Sequence, residues 1–152
     1  MKMFINGKAC DASSGETIEV TNPANGAVID TVPAATPEDV ASAVAYAKAA
    51  QKEWVKVPIH ERVDYMMKFL DLVERDKEEL ARTLSNETGK PITEARAEID
   101  NIPIAFKAFS ERVKHLYDEV VPAGIEAGQE KTVLITRREP LGVVAVSYTH
   151  LT

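Results

Sequence analysis

The stretch Arg137-Arg138-Glu139-Pro140-Leu141-Gly142-Val143-Val144-Ala145-Val146 decides the fold class. Its second half is an uninterrupted apolar run behind a proline. A strand with one wet face alternates, whereas a strand covered on both faces, as in a parallel α/β sheet, reads as a continuous run like this one. Immediately upstream, Val120-Val121-Pro122 leads into a loop bounded by Gly124 and Gly128, and Thr132-Val133-Leu134-Ile135-Thr136 reads as a strand.

Further out, helical patterning takes over. Ile92, Ala95, Ile99, Ile102, Phe106, Phe109, Val113 and Leu116 alternate steps of three and four up to Tyr117, which predicts one long helix. Such a seam meets the heptad criterion, so a helical interaction module pairing through Ile92–Leu116 is the alternative to a packed domain helix. Pro103 opposes a straight coiled coil, because it lacks an amide hydrogen and crowds the carbonyl of Ile99, at ~3 kcal/mol or more. The corner Glu87-Thr88-Gly89-Lys90-Pro91 combines a helix-ending glycine with a helix-starting proline.

Before that corner, Val63, Met66, Met67, Leu70, Val73, Leu80 and Leu84 keep helical phase with Lys77 as the one charged member, predicting a single helix from about Pro58 to Asn86. The charged run Glu74–Glu79 reads as its solvated face. Another helix starts at Thr36-Pro37-Glu38-Asp39, where an N-cap residue, a proline at the first helical position and two acids coincide. Val40, Val44, Ala47, Gln51 and Trp54 form its expected buried stripe. The first 35 residues read as two hairpins: Met3–Ile5 with Lys8–Cys10 around Asn6-Gly7, and Thr17–Val20 with Val28–Val32 around Asn22–Gly26.

Composition narrows the function classes. The 152 residues carry 18 Lys and Arg against 24 Asp and Glu, a formal net charge of −6, which argues against nucleic-acid or anionic-membrane binding by clustered cations. With 45% hydrophobic and 28% charged residues the chain can bury a core and is not a disordered tail. No apolar run approaches the roughly 18 residues of a membrane span. A solitary Cys10, with no signal peptide at Met1–Phe4, makes a reducing cytoplasm the expectation.

Chemical motifs are nearly absent. The sequence contains no G-x-G-x-x-G, P-loop, H-E-x-x-H or G-x-S-x-G pattern. Cys10 has no histidine near it in sequence and reads as a small packing or surface residue. His60, His115 and His150 are not spaced as metal ligands, and His115 suits a helix C-terminus. Trp54 reads as a core anchor, and Lys90 as a surface charge at the corner.

Taken together, Phe4-Ile5-Asn6-Gly7, Val20-Thr21-Asn22-Pro23-Ala24-Asn25-Gly26, Trp54, Glu87-Thr88-Gly89-Lys90-Pro91 and Arg137–Val144 resemble, in order and spacing over about residues 3–146, the amino-terminal portion of the NAD(P)-dependent aldehyde dehydrogenase superfamily. The resemblance implies an incomplete α/β fold: two β-hairpins, three helices, a β oligomerisation arm and the first strand of a Rossmann-like sheet. Residues 1–120 would be the amino-terminal part of the cofactor-binding domain, 121–140 the arm, 141–146 the first sheet strand, and 147–152 an unmatched tail foreign to the family pattern, as from a truncated or misjoined reading frame.

The same resemblance implies a parent enzyme that oxidises a small aldehyde, or a semialdehyde, to a carboxylic acid with NAD or NADP, works as a homo-oligomer (dimer or tetramer) in the cytoplasm, and binds neither nucleic acid nor membrane. The family's cofactor lysine, Gly-rich turn, general-base Glu, oxyanion Asn and nucleophilic Cys all lie beyond the matched segment. No catalytic or cofactor-binding residue is therefore expected here, and the chain alone is expected to be inactive. One site carries over. Some members hold a structural K+ or Na+ on backbone carbonyls and one acid, which match Val20, Thr21 and Glu87; oxygen ligands suit a hard cation.

Overall fold

The computed structural model describes residues 1–146. Two hairpins open the chain. Strands β1 (Met3–Ile5) and β2 (Lys8–Cys10) pair antiparallel, Met3 opposite Cys10. Their turn places both Asn6 (φ 51°) and Gly7 (φ 73°) in the left-handed region, the requirement of a two-residue type I′ turn. Strands β3 (Thr17–Thr21) and β4 (Val28–Pro33) form the second hairpin, with a bulge where Val20 faces Asp30 but Thr21 faces Val28. Its turn is closed by side chains acting as local acceptors: Asn22 Oδ1 accepts from the Ala24 N–H at 2.9 Å and Asn25 Oδ1 from the Ala27 N–H at 3.0 Å.

Helix α1 (Pro37–Trp54) begins where the sequence predicts. Thr36 Oγ1 accepts from the Asp39 N–H, and the Asp39 carboxylate accepts from the Thr36 N–H at 3.0 Å, a reciprocal capping box. Its expected buried stripe is overturned: Val40 is 55% exposed, Val44 44% and Trp54 42%. Helix formation follows from capping and an alanine-rich composition, but none of the main helix packings involves α1.

The expected single helix over Pro58–Asn86 is two helices, α2 (Ile59–Arg75) and α3 (Lys77–Thr88), so the three helices implied by the resemblance are four with α4 (Ile92–Val113). The break is Asp76 at φ −101°, ψ 12°. Its carboxylate is engaged by the Arg75 guanidinium at 2.8 and 2.6 Å and caps no helix end. A straight helix over these residues would run for roughly 45 Å. Turning at Asp76 instead folds α3 back against α4, and the helical phase slips by one: the buried residue is Ala81, not Leu80.

The core is Val73, Ala81, Ala95 and Ile99, flanked by Leu84, Ile92 and Ile102. Ala81 and Ala95 are fully buried, and two such small side chains leave little between the backbones of α3 and α4. The charged run 74–79 is also more than a solvated face. Lys77 pairs with Asp100, and Glu78 binds Arg96 on α4 through both carboxylate oxygens, at 2.9 and 2.8 Å.

Helix α4 continues through Pro103 and stops at Val113, short of the predicted Tyr117. The first half of the Ile92–Leu116 seam is spent on the internal core. Beyond Pro103 the buried position is Ser110, while Phe109 is 73% exposed, so the seam does not present one continuous face for pairing. Strands β5 (Glu119–Val121) and β6 (Leu134–Thr136) then form a third antiparallel hairpin.

The expected strand at Leu141–Val146 is not formed. No ladder includes it, Leu141 is 95% exposed, and Gly142 sits at φ 116°. A strand is defined by hydrogen bonds to neighbours, and the described residues supply none; the parallel sheet is correspondingly absent among them. The tail 147–152, expected from the sequence to be unmatched and including His150, lies outside the described residues.

Candidate functional site

Gly89 ends α3 in the left-handed conformation (φ 71°), its N–H donating to the Ser85 carbonyl at 2.9 Å. Ser85 Oγ then donates to the Lys90 carbonyl at 2.7 Å, closing the corner before α4. This corner rests on the Asn22–Gly26 turn, and the contact aligns the end of β3 with the last turns of α3.

Between them lies a cleft of about 330 Å³. Val20 from β3, Ile29 and Asp30 from β4, and Glu79, Thr83, Asn86 and Glu87 from α3 line it, together with Met1. The four α3 residues recur at steps of four, three and one, which places them on one helix face. Of the three residues singled out in the sequence, Val20 and Glu87 are thus brought to one cleft, whereas Thr21 is not among its lining residues. The bulge at Val20/Thr21 interrupts the ladder beside the cleft, and a bulge leaves backbone groups without ladder partners.

The electrostatics are acidic but partly neutralised. The Met1 ammonium donates to Asp30 Oδ2 at 3.0 Å and to the Thr31 carbonyl at 2.8 Å. That ammonium, followed by the Thr31 backbone N–H, holds the Asp30 carboxyl below the usual carboxylate value. Glu79 and Glu87 supply further carboxylates at the rim. Among the described residues no three His, Cys, Asp or Glu side chains converge on a metal position. The cleft's polar side chains are the carboxyls of Asp30, Glu79 and Glu87, the Thr83 hydroxyl and the Asn86 amide.

Sequence reading missed Asp30, Glu79, Thr83 and Asn86. The signal for the last three was present as a polar helix face running into Glu87; Asp30 reads only as a strand residue until the hairpin is docked. The remaining candidates stay apart from the cleft. Cys10 is free and half-buried at the end of β2. Lys90 is paired with Glu98. His60 is exposed beside Glu61, and His115 follows α4 with Nδ1 2.7 Å from the Tyr117 hydroxyl. No described helix is long and apolar enough to cross a membrane.

Comparison with known proteins places this arrangement. The family model described as the aldehyde dehydrogenase family matches residues 10–148. A glutarate-semialdehyde dehydrogenase of Pseudomonas putida is 34% identical over 142 residues, covering 93% of this chain and 29% of that protein. The NADP(+) succinate-semialdehyde dehydrogenase of Escherichia coli is 34% identical with the same coverage. Among solved structures, an NADP-dependent glyceraldehyde-3-phosphate dehydrogenase from Bacillus halodurans complexed with NADP superposes with a TM-score of 0.78 at 31% identity, over 84% of this chain and 27% of that one. An aldehyde dehydrogenase from Brucella melitensis gives a TM-score of 0.77 at 33% identity, over 81% and 26%. The chain thus spans under a third of the length of the relatives it matches.

Proposed function

Because the chain belongs to the aldehyde dehydrogenase family, as its amino-terminal portion, we propose that it is part of an enzyme oxidising an aldehyde or semialdehyde to a carboxylic acid with NAD or NADP. The observation that carries the reading is the family match over residues 10–148, joined to relatives that act on semialdehydes by name. In the whole enzyme a nicotinamide cofactor accepts the hydride that leaves the substrate. This chain's residues contribute no nucleophile, base or oxyanion donor to that step. Their contribution is scaffolding: residues 1–120 belong to the amino-terminal part of the cofactor-binding domain, 121–140 to an oligomerisation arm and 141–146 to the first strand of the nucleotide-binding sheet, while 149–152 lie beyond the family match. The parent is a cytoplasmic homo-oligomer, a dimer or tetramer.

Within the cleft, Val20 and Thr21 carbonyls and the Glu87 carboxylate hold a structural K+ or Na+, tying β3 to α3. The shared cleft of Val20 and Glu87 and the neighbouring bulge support this. The decisive experiment expresses the full-length enzyme and follows reduced nicotinamide with succinate semialdehyde, glutarate semialdehyde and glyceraldehyde, each with NAD and with NADP. Turnover of at least one pair is expected. A soluble, folded full-length protein that turned over none of them would overturn the reading.

A further inference from the structure

A second cleft, of about 360 Å³, lies between α2 and α4, with Trp54 from the end of α1. Trp54, Met66, Phe106, Phe109 and Val113 give it an apolar lining, and Arg62 stands among them. Arg62 Nε is buried without a hydrogen-bond partner, and no ion pair among the described residues includes Arg62. Nearly all buried polar groups in folded proteins are satisfied, and a guanidinium in apolar surroundings is costly until a counter-charge meets it. Two more exposed arginines, Arg75 and Arg96, each meet a carboxylate through two nitrogens. Arg62, by contrast, has no carboxylate partner among the described residues.

Resting on the amino-terminal reading above, we propose that this cleft seats a segment of the enzyme's carboxy-terminal remainder, which inserts an apolar side chain beside Phe109 and pairs an Asp or Glu carboxylate with Arg62. Three observations converge on that occupant. The relatives carry more than twice as much chain again as this one, so covering polypeptide exists in the family. The distal half of α4 leaves Phe109 exposed next to the cleft, and exposed aromatics beside an unpaired arginine are the composition of an interface centre. The planar guanidinium prefers a carboxylate, with two parallel hydrogen bonds, over other acceptors. Nε itself is sealed by the chain's own atoms and the terminal nitrogens are not, so the carboxylate meets Arg62 through those terminal nitrogens. Arg62 is a positioning residue for the assembled enzyme.

Hydroxyl-radical footprinting read residue by residue tests this on native side chains. Phe109 in the full-length enzyme is expected to react at least tenfold more slowly than in the 152-residue chain. Arg62→Gln in the full-length enzyme should return at least a third of that reactivity, while Arg62→Lys, which keeps the charge, should stay close to wild type. Equal Phe109 reactivity in the two wild-type proteins would overturn the docking; protected Phe109 with Arg62→Gln indistinguishable from wild type would overturn the carboxylate pairing. Phe109 protection that grows with concentration in the 152-residue chain would assign the cleft to a second copy instead, and so also overturn the proposal. Aldehyde turnover by the same full-length preparation separates these outcomes from failure of the functional reading.

Discussion

Gly89 stands directly over Pro23: a Cβ at Gly89 would lie 2.9 Å from Pro23 Cγ and 3.0 Å from the Ala24 backbone nitrogen. The β3–β4 hairpin has no extensive packing against the helices, so this close approach is a principal link between them. Two short motifs that look unrelated in sequence, Asn22–Gly26 and Glu87–Pro91, are the two halves of one contact. The cleft holding Val20 and Glu87 is where it is because they meet.

Gly89→Ala should therefore destabilise the fold for two separable reasons. An L-residue in the left-handed region costs roughly 1–2 kcal/mol, and crowding against backbone adds about 1–3 kcal/mol. Pro23→Ala removes only the Cγ contact, so in that background Gly89→Ala should cost less but never nothing. Urea unfolding of the four proteins of this cycle measures the coupling; strict additivity would show that Pro23 and Gly89 do not touch.

Thr36→Ala should cost about 1 kcal/mol by removing a helix cap. The Asp39 partner adds a pH signature. Hydrogen bonds from the Thr36 and then the Ser13 backbone N–H hold its carboxyl below the ordinary value of 3.8. A carboxyl depressed in the folded state stabilises above its unfolded value, and that stability is lost as pH falls from about 4 through the lower folded value. Asp39→Asn should flatten this part of the pH dependence in urea unfolding between pH 7 and 2.5. An unchanged profile would remove Asp39 from the account of acid stability.

The local signals were the legible part of the fold. Asn6-Gly7, Thr36-Pro37 and Gly89 each impose a backbone conformation within a few residues, and each structural feature sits where those residues put it. What escaped depended on neighbours distant in sequence. The break at Asp76 occurs in a segment of unbroken helical phase, because folding α3 back buries Ala81 against Val73 and Ala95. The stripe of α1 and the run Leu141–Val146 have the right pattern for burial but no partner among these residues, and pattern alone does not supply one. At the cleft, Val20 and Glu87 were legible through family resemblance, whereas Asp30 joins only through the hairpin's docking.

The 152-residue chain should show no aldehyde-dependent cofactor reduction, since the resemblance puts the family's nucleophile and general base beyond the matched segment. Cys10 is half-buried at the end of β2. Activity above background in the purified chain, lost on Cys10→Ala, would reverse the assignment of that residue.

Self-association of the isolated chain should follow from its uncovered surfaces. Leu141, Val144 and Val146 are exposed in sequence-adjacent array, and the edges of the β5–β6 hairpin are open. Deleting residues 141–152 should lower the weight-average mass seen by light scattering. A 152-residue chain that stayed a monodisperse monomer at tens of micromolar would contradict this.

The last prediction concerns the cation. A ligand that binds only the folded state stabilises it by about 1.4 kcal/mol when present at tenfold its dissociation constant, worth roughly 3–6 °C in melting temperature for a chain of this size. Melting in potassium or sodium chloride should therefore exceed melting in choline chloride at equal ionic strength, which cancels general screening. Glu87→Gln removes the charge while keeping the side-chain shape, and should abolish the difference without lowering the choline value. Glu94→Gln, on the first turn of α4 and outside the cleft, should preserve it. Gly89→Ala should shrink the difference as well, because Val20 and Glu87 share the cleft only while the corner rests on Pro23. Equal melting in all three salts would mean that Glu87 serves the helix corner alone and that the cleft holds no structural ion.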